Sequence, residues 1–268
     1  MLNIEIFELG SVHNIDFTII TKMINISKKD LKTIIKKPIL DIGDADLSDI
    51  GYSDSKLFSK FPKNNSNNIL VGITSRPLED NYYTRTDSNN NFILITLHET
   101  DELIEKTGAT REDVIVVNLL SVILSLQYKG DPYHDETRGC IFDFCRNKID
   151  MVHQLKFLRI EDDCREELIK GGVSKKDIEI VEKILNKIKN PSLLRSVVIS
   201  LKNPIFNFFL GGVIFGLVIN VLSTLILGDF NSLMDYYLLI ILAVLIICLF
   251  VGNYFYLKIK TKKLQERI

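Results

Sequence analysis

No complete catalytic motif occurs in this chain of 268 residues. It contains no GxSxG nucleophile elbow, no Walker loop, no GxGxxG dinucleotide fingerprint and no CxxC pair. Each of these motifs places a nucleophile, a phosphate-binding turn or a thiol pair at a fixed spacing, so their absence argues against the enzyme classes that depend on them. We therefore identify no catalytic residue, and the sequence favours a protein that is not an enzyme.

The sequence also lacks a strong net charge, a signal peptide and a disulfide framework. The net charge is only −1, so no overall field favours nucleic acid as a partner. The opening MLNIEIFELG has neither a basic region nor a long apolar core, which argues against a cleaved signal peptide. The four cysteines show no disulfide-framework spacing, and in a reducing cytoplasm free thiols or a metal site are expected instead. They are Cys140, Cys145, Cys164 and Cys248.

What the chain has in abundance is apolar sequence near its C-terminal end. Residues 205–227 and 236–257 contain no charged side chain, and each run reaches the roughly 20 residues that span a bilayer as a helix. The loop 228–235 carries two aspartates but no basic residue, whereas basic residues precede the first run and fill the tail 258–268. The positive-inside rule then predicts an integral inner (plasma) membrane protein with both termini in the cytoplasm.

Two features bear on how these predicted transmembrane helices would pack. Gly212 and Gly216 form a GxxxG spacing in the first helix, which lets two backbones approach closely and favours a homo-oligomer. Residues 191–204 place apolar residues on one helical face between Arg195 and Lys202, as in an interfacial amphipathic linker helix. The expected partners are the lipid bilayer, further copies of the chain and an unidentified protein or small molecule.

Residues 1–190 are long enough for one ordinary domain. Alternating or continuous apolar runs predict strands over 3–9, 14–20, 69–74 and 92–97. Helical spacing predicts helices near 30–37, 111–128, 148–158, 162–170 and 174–189. The helix at 111–128 is apolar on almost every side, which is typical of a buried helix. The predicted fold class is an α+β or α/β cytoplasmic domain with a central buried helix, followed by a two-helix transmembrane hairpin.

The connection between the last two predicted strands is long and polar. Its sequence is RPLEDNYYTRTDSNNN, and it holds Arg76, Tyr82, Tyr83 and Arg85. A connection of this length is either an extended hairpin tip or a binding loop. Both interpretations stay open from sequence.

Metal-ligand side chains concentrate in one short stretch. It contains His134, Cys140, Cys145, His153 and Cys164, which are ligand types that suit zinc. Most gaps are wider than the two to four residues typical of a closed structural site. The alternative is that Cys140 and Cys145 pack as small apolar residues among neighbouring aromatic side chains. The candidate metal ligands are His134, Cys140, Cys145 and Cys164; zinc is possible, although no cofactor is favoured.

The order of these elements resembles one known family. An apolar strand before RPLEDN, a strand ending in LITLHE, a long buried helix, and then RGCIFDFC and LRIEDDCREEL are similar to the archaemetzincin-type zinc peptidases over about residues 69–170. The resemblance implies an HExxH on the buried helix and a downstream cysteine site, in which Cys140 matches the first cysteine and Cys164 the last. The helix has no histidine, and Glu161 stands where the CxxC has its other cysteine. The resemblance therefore implies a degenerate, metzincin-like domain without HExxH catalysis.

These features predict a membrane-tethered, non-catalytic sensor, scaffold or membrane effector that acts by assembly of its hairpins, in bacterial defence or signalling. The bacterial context comes only from the Asn-, Ile- and Lys-rich composition. The alternative is a membrane-anchored zinc-dependent hydrolase with its site around residues 134–164. That site would be built from His134, Asp135, Cys140, Cys145 and His153.

Overall fold

The computed structural model describes residues 2–25, 31–47, 51–64 and 68–190, together with Gly211, Gly212 and Gly216. The chain divides into two units, Met1–Lys189 and Asn190–Ile268. The first unit contains all the strands and every complete helix among the described residues. In the second unit only the three glycines are described, and each of them is helical.

The first unit is built on a mixed sheet of five strands. In chain order its elements are β1 (Leu2–Leu9), α1 (Phe17–Ile24), β2 (Leu31–Ile35), α2 (Asp54–Phe58), β3 (Ile69–Thr74), β4 (Thr84–Asp87), β5 (Phe92–Thr96), α3 (Asp101–Thr107), α4 (Arg111–Gln127), α5 (Met151–Phe157), α6 (Asp162–Lys170) and α7 (Lys175–Lys189). The strand order is β2-β1-β3-β5-β4. β4 runs antiparallel to β5, and the other neighbouring strands are parallel.

Both faces of the sheet are covered, which explains why β3 and β5 are apolar at nearly every position. One face, carrying Ile6, Val71 and Ile95, packs into the main core with residues of α1, α4 and α7. The opposite face carries Phe7 and Leu94 and packs on the irregular segment that includes α2. This second face is called face two below.

The buried helix α4 forms as the sequence predicts. Thr110 and Asp113 make a capping box at its start, which satisfies two backbone N–H groups that the helix leaves free. The Asn118 amide donates to the Val114 carbonyl, and the Ser121 hydroxyl donates to the Asn118 carbonyl. These polar side chains therefore bond within their own helix, as buried polar groups must if they have no other partner.

Two secondary-structure predictions near the start of the chain are wrong, and both errors have the same cause. Residues 14–20 were predicted to form a strand, but 17–20 belong to helix α1, whose first turn is capped by the Asp16 carboxylate. Residues 31–35, predicted as helical, form β2, which pairs in parallel with β1. Parallel neighbours need a crossover between them, and α1 supplies it. Long-range pairing therefore overrode the local helical spacing of this segment.

The predicted transmembrane hairpin is also corrected. Among the described residues, no helix is long and apolar enough to cross a membrane. Apart from the three glycines, the segments 191–204, 205–227, 228–235, 236–257 and 258–268 lie outside the described residues. Run length and lack of charge were the only basis of that prediction, whereas a span also needs a continuous helix of about 20 residues. The transmembrane part of the predicted fold class, the integral membrane location and the membrane-effector role are therefore withdrawn, whereas the α/β unit with its buried helix stands.

Gly72, in the middle of β3, allows a close approach on face two. A Cβ at this position would collide with the Leu9 side chain and lie 2.8 Å from Cζ of Phe61. We expect Gly72→Val to lower the free energy of unfolding by about 1–3 kcal/mol, since overpacking forces neighbouring side chains out of their rotamers. Urea unfolding followed by circular dichroism measures this loss. Leu9 is fully buried, so Leu9→Ala alone also destabilises, but the double variant should lose less than the sum of the two single losses. A fully additive double variant would contradict the steric explanation.

Candidate metal centre

The segment that joins α4 to α5 is irregular, but backbone hydrogen bonds fix its shape. The His134 N–H donates to the Phe142 carbonyl at 3.1 Å, and the Phe144 N–H donates to the His134 carbonyl at 2.7 Å. A second short pairing joins Cys140 to Arg159, in the link between α5 and α6. These pairings bring the middle of the segment next to the start of α6, which carries Cys164.

Three metal-ligand side chains meet at this place. One ring nitrogen of His134 and the Sγ atoms of Cys140 and Cys164 all lie within 4.8 Å of one another. The two sulfurs are 3.7 Å apart, and neither cysteine is in a disulfide. Cys140 is fully buried and Cys164 is 8% exposed, while His134 lies at the edge of the group with its side chain 19% exposed. Among the described residues, His134 is thus the most exposed member of the cluster.

The His134 ring is held in one orientation by its Nδ1 atom. Nδ1 lies 3.1 Å from the carbonyl oxygen of Glu136 and 3.6 Å from the Oδ1 atom of Asp143. A carbonyl can only accept, so the neutral ring that donates to it carries its proton on Nδ1 and has its lone pair on Nε2. Nε2 is buried and has no hydrogen-bond partner in the part of the chain that the structure describes. A ring whose second nitrogen is anchored in this way is the usual form of a metal-binding histidine.

Asp143 is the buried carboxylate beside that ring. Its side chain has 0% exposure, and its Oδ2 atom accepts a hydrogen bond of 2.6 Å from the Gly139 N–H. Burial raises the pKa of Asp143, while backbone N–H groups and His134 act in the opposite direction. Asp143 therefore has one contact with the backbone, at the Gly139 N–H, and a second contact with the His134 ring.

Burial is also the main influence on the pKa of the Cys140 and Cys164 thiols. It raises the pKa of Cys140, although backbone N–H groups of Glu161 and Phe142 partly offset the effect. It raises the pKa of Cys164 to about 12, with a further contribution from the neighbouring Cys140. Without a metal both thiols are therefore neutral and protonated, whereas a bound cation would favour the thiolates.

This donor set fits zinc. Two thiolates and one neutral imidazole are ligands that zinc takes in proteins. Two sulfurs bound to one tetrahedral zinc ion at 2.3 Å would be about 3.8 Å apart. The observed separation of Cys140 and Cys164 is 3.7 Å, so the two sulfurs need not move apart or together to share such an ion. His134 supplies the third donor through a ring nitrogen that lies within 4.8 Å of both sulfurs, and its Nε2 is buried and unpartnered among the described residues.

The other predicted site residues lie elsewhere. Cys145 is buried but is not in the group of ligand atoms, and its pKa is raised to about 12, mainly by burial and then by Asp143 and Asp150. The His153 ring packs on Phe157, with ring centroids 4.5 Å apart. Asp135 is exposed and pairs with Arg146 at 3.1 Å. The structure thus joins His134, Cys140 and Cys164 and separates them from these three side chains.

The predicted binding loop is partly a hairpin, because β4 pairs with β5 inside it. Tyr83 is buried, and its hydroxyl donates to the Asn147 carbonyl at 2.9 Å. Arg85 lies over the Tyr82 ring, 4.3 Å from its centroid, and forms an ion pair with Asp54 at 3.1 Å. Arg76 is exposed. Tyr83 and Arg85 thus serve the fold, and a binding role for the loop stays a prediction.

Sequence analysis missed Lys148, which ties this loop to the rest of the unit. Its ammonium group donates to the Asn81 side chain at 2.6 Å and to the His98 carbonyl at 2.9 Å, and it lies 3.6 Å from the Glu99 carboxylate. Burial lowers the pKa of Lys148. Asn81 and Glu99 both have a positive φ, which is uncommon outside glycine. No sequence pattern marks such a site, because its partners are distant and one of them is a backbone carbonyl.

Two solved structures are similar to this chain. One is a zinc-dependent peptidase from Methanocorpusculum labreanum, with 15% identity, coverage of 62% of this chain and 99% of that chain, and a TM-score of 0.45. The other is archaemetzincin from Archaeoglobus fulgidus, with 9% identity, the same two coverages and a TM-score of 0.41. No protein-family model matches the sequence, and no curated protein matches it significantly. Both are weak and partial similarities, and they agree with the metzincin-like resemblance that the sequence shows over about residues 69–170.

Proposed function

We propose that this chain binds one zinc ion through His134, Cys140 and Cys164 and acts as a zinc-dependent hydrolase. The observation that carries the proposal is the convergence of two sulfurs 3.7 Å apart with an orphaned imidazole nitrogen. Three protein ligands leave one of four zinc positions open, and zinc in such a site acts as a Lewis acid and activates water. This ligand set differs from HExxH, which the chain lacks.

The chain's own groups prepare the site for a cation. Asp143 and the Glu136 carbonyl hold the His134 ring so that Nε2 faces away from them. Beside the cysteines, Glu161 forms ion pairs with Arg138 at 3.3 Å and with Arg159 at 2.9 Å. These pairs neutralise the carboxylate next to the metal position and fix the backbone N–H that faces Cys140. The exposed edge of His134 is where a substrate could reach the open position.

A structural role for the same zinc is the second candidate, and the burial of both thiols favours it. Cys140 is fully buried and Cys164 is 8% exposed, as in closed sites that crosslink two segments. In that case a fourth ligand would complete the coordination, and no substrate would reach the metal. Zinc content and hydrolysis must therefore be measured on the same preparations.

The test uses matched cysteine and histidine variants of the full chain. Cys164 and Cys145 are both buried and 8% exposed, so Cys164→Ser and Cys145→Ser remove equally buried thiols. We expect about one zinc per chain by elemental analysis in the wild type and in Cys145→Ser, and almost none in Cys164→Ser, because two remaining ligands hold zinc poorly. His134→Ala should lose the metal, whereas His153→Ala should keep it.

Hydrolysis is then followed with a fluorogenic protein substrate on the same variants. Activity that disappears with zinc in Cys164→Ser and His134→Ala, and persists in the two controls, would support the hydrolase. Zinc without hydrolysis would leave the structural role. Equal loss of zinc from Cys164→Ser and Cys145→Ser would contradict the three-ligand site itself.

A further inference from the structure

Face two of the sheet contains a second site that has no part in the metal centre. It is a solvent-open pocket of about 560 Å³ between β1, the residues just after β2, and the segment that leads into β3. This volume is within the roughly 300–1,000 Å³ of small-molecule sites. Phe7 of β1 and Leu70 of β3 form its apolar floor.

The pocket exists because the cover of face two stops short of β2. Phe61 packs edge to face on Phe7, with ring centroids 5.8 Å apart, and stacks on Phe92 at 4.8 Å. The next residue, Pro62, already lines the pocket. Lys36 follows β2, and its backbone N–H donates to the Ile6 carbonyl of β1 at 2.8 Å. The floor of the pocket is therefore held in place by the sheet and by aromatic packing.

The charges that line the pocket are mostly positive. Lys36, Lys37 and Lys63 line it together with one acidic residue, Glu5. Glu5 is already satisfied: it pairs with Lys36 at 3.2 Å and accepts from the Asn68 amide at 3.0 Å. In the described part of the chain no carboxylate forms an ion pair with Lys37 or Lys63. Three lysines against one glutamate leave two positive charges facing one space.

We propose that this pocket binds a small organic phosphate, of the size and charge of a nucleoside monophosphate. A phosphate monoester carries about 1.5 to 2 negative charges at neutral pH, which matches the two unpaired lysines. Lysine binds phosphate as a point charge, without the planar geometry that arginine imposes. The volume exceeds what a phosphate group needs, and the floor of Phe7 and Leu70 provides apolar contact for an organic body.

The experiment is calorimetric titration of the full chain with AMP, with adenosine and inorganic phosphate titrated separately. The test variant is the double substitution Lys37→Glu and Lys63→Glu. The matched control is Lys32→Glu, an exposed lysine on β2 that does not line the pocket. We expect AMP to bind the wild type, and the double variant to bind it about tenfold more weakly or worse, because the pocket charge changes sign. Lys32→Glu should keep wild-type affinity within about twofold.

Three results would overturn the proposal. The first is AMP affinity that is equal in the double variant and in the wild type. The second is adenosine that binds as tightly as AMP, since the lysines would then have no role. The third is inorganic phosphate that binds as tightly as AMP, since the organic body would then add nothing. All three outcomes are independent of zinc, because none of the lysines contacts the metal centre.

Discussion

Removing zinc with a chelator should lower the thermal unfolding midpoint of the full chain by about 8–16 °C. Ligand present at 1,000 times its dissociation constant stabilises a folded protein by about 4 kcal/mol. For a unit of this size each kcal/mol corresponds to about 2–4 °C in the midpoint. The proposed ligands lie in two separate segments, His134 and Cys140 before α5 and Cys164 in α6, so the metal would crosslink them.

Differential scanning calorimetry with and without chelator measures this effect. Titrating zinc back should restore the midpoint, whereas magnesium should not, because thiolates and imidazole are poor ligands for it. His134→Ala should unfold at the chelated midpoint in both conditions. His153→Ala should respond to the chelator as the wild type does, since its ring only packs on Phe157. A wild-type midpoint that the chelator leaves unchanged would rule out a stabilising zinc.

Much of the sheet and the central helix could be predicted because their signals are local. β3 and β5 are continuous apolar runs, and α4 has both a capping box and an apolar surface on all sides. α1 and β2 could not be assigned, because the deciding interaction is the parallel pairing of β2 with β1. That pairing joins residues far apart in sequence, and it converts a helix-like pattern into a strand.

The sequence predicted which residues belong to the candidate site, but it could not predict how they are arranged in space. Composition alone places His134, Cys140 and Cys164 among five metal-ligand side chains in one stretch, with Cys145 and His153 as the other two. Cys145 has equal claim in the sequence, but the backbone pairing of Cys140 with Arg159 brings Cys140, not Cys145, next to α6. Such irregular pairings follow no periodicity. The membrane hairpin is a different case. Its prediction rested on run length, which is a strong sequence signal, and the predicted membrane location and function both depended on it.

Phe142→Ala should have the largest effect of any substitution near the metal centre. Phe142 is among the largest fully buried side chains among the described residues, and its ring meets Tyr133 edge to face with centroids 5.9 Å apart. Truncating a buried phenylalanine costs about 3–5 kcal/mol, because apolar contact is lost and a cavity remains. The domain as a whole has only about 5–15 kcal/mol of stability to lose.

The chain offers a control two residues away. Phe144 is 39% exposed, with its ring centroid 6.2 Å from that of Tyr82, so Phe144→Ala should change the free energy of unfolding by less than about 1 kcal/mol. Urea unfolding can be followed by tyrosine fluorescence, because the chain has nine tyrosines and no tryptophan. Similar losses for the two variants would contradict the burial on which the prediction rests.

Phe142→Ala should also weaken zinc binding, which separates it from an ordinary core substitution. The Phe142 carbonyl accepts from the His134 N–H at 3.1 Å, and its own N–H faces the Cys140 sulfur. Loosening this backbone would therefore disturb two of the three proposed ligands, and changes to the groups that orient metal ligands cost about 10–100-fold in metal affinity. Leu57 lies in α2, in the core that packs on face two and away from the site. Leu57→Ala should lower stability and leave the zinc affinity unchanged. Competition with a chelator of known affinity measures the zinc affinity of both variants. Equal zinc affinity in Phe142→Ala and the wild type would show that the cluster does not depend on this backbone.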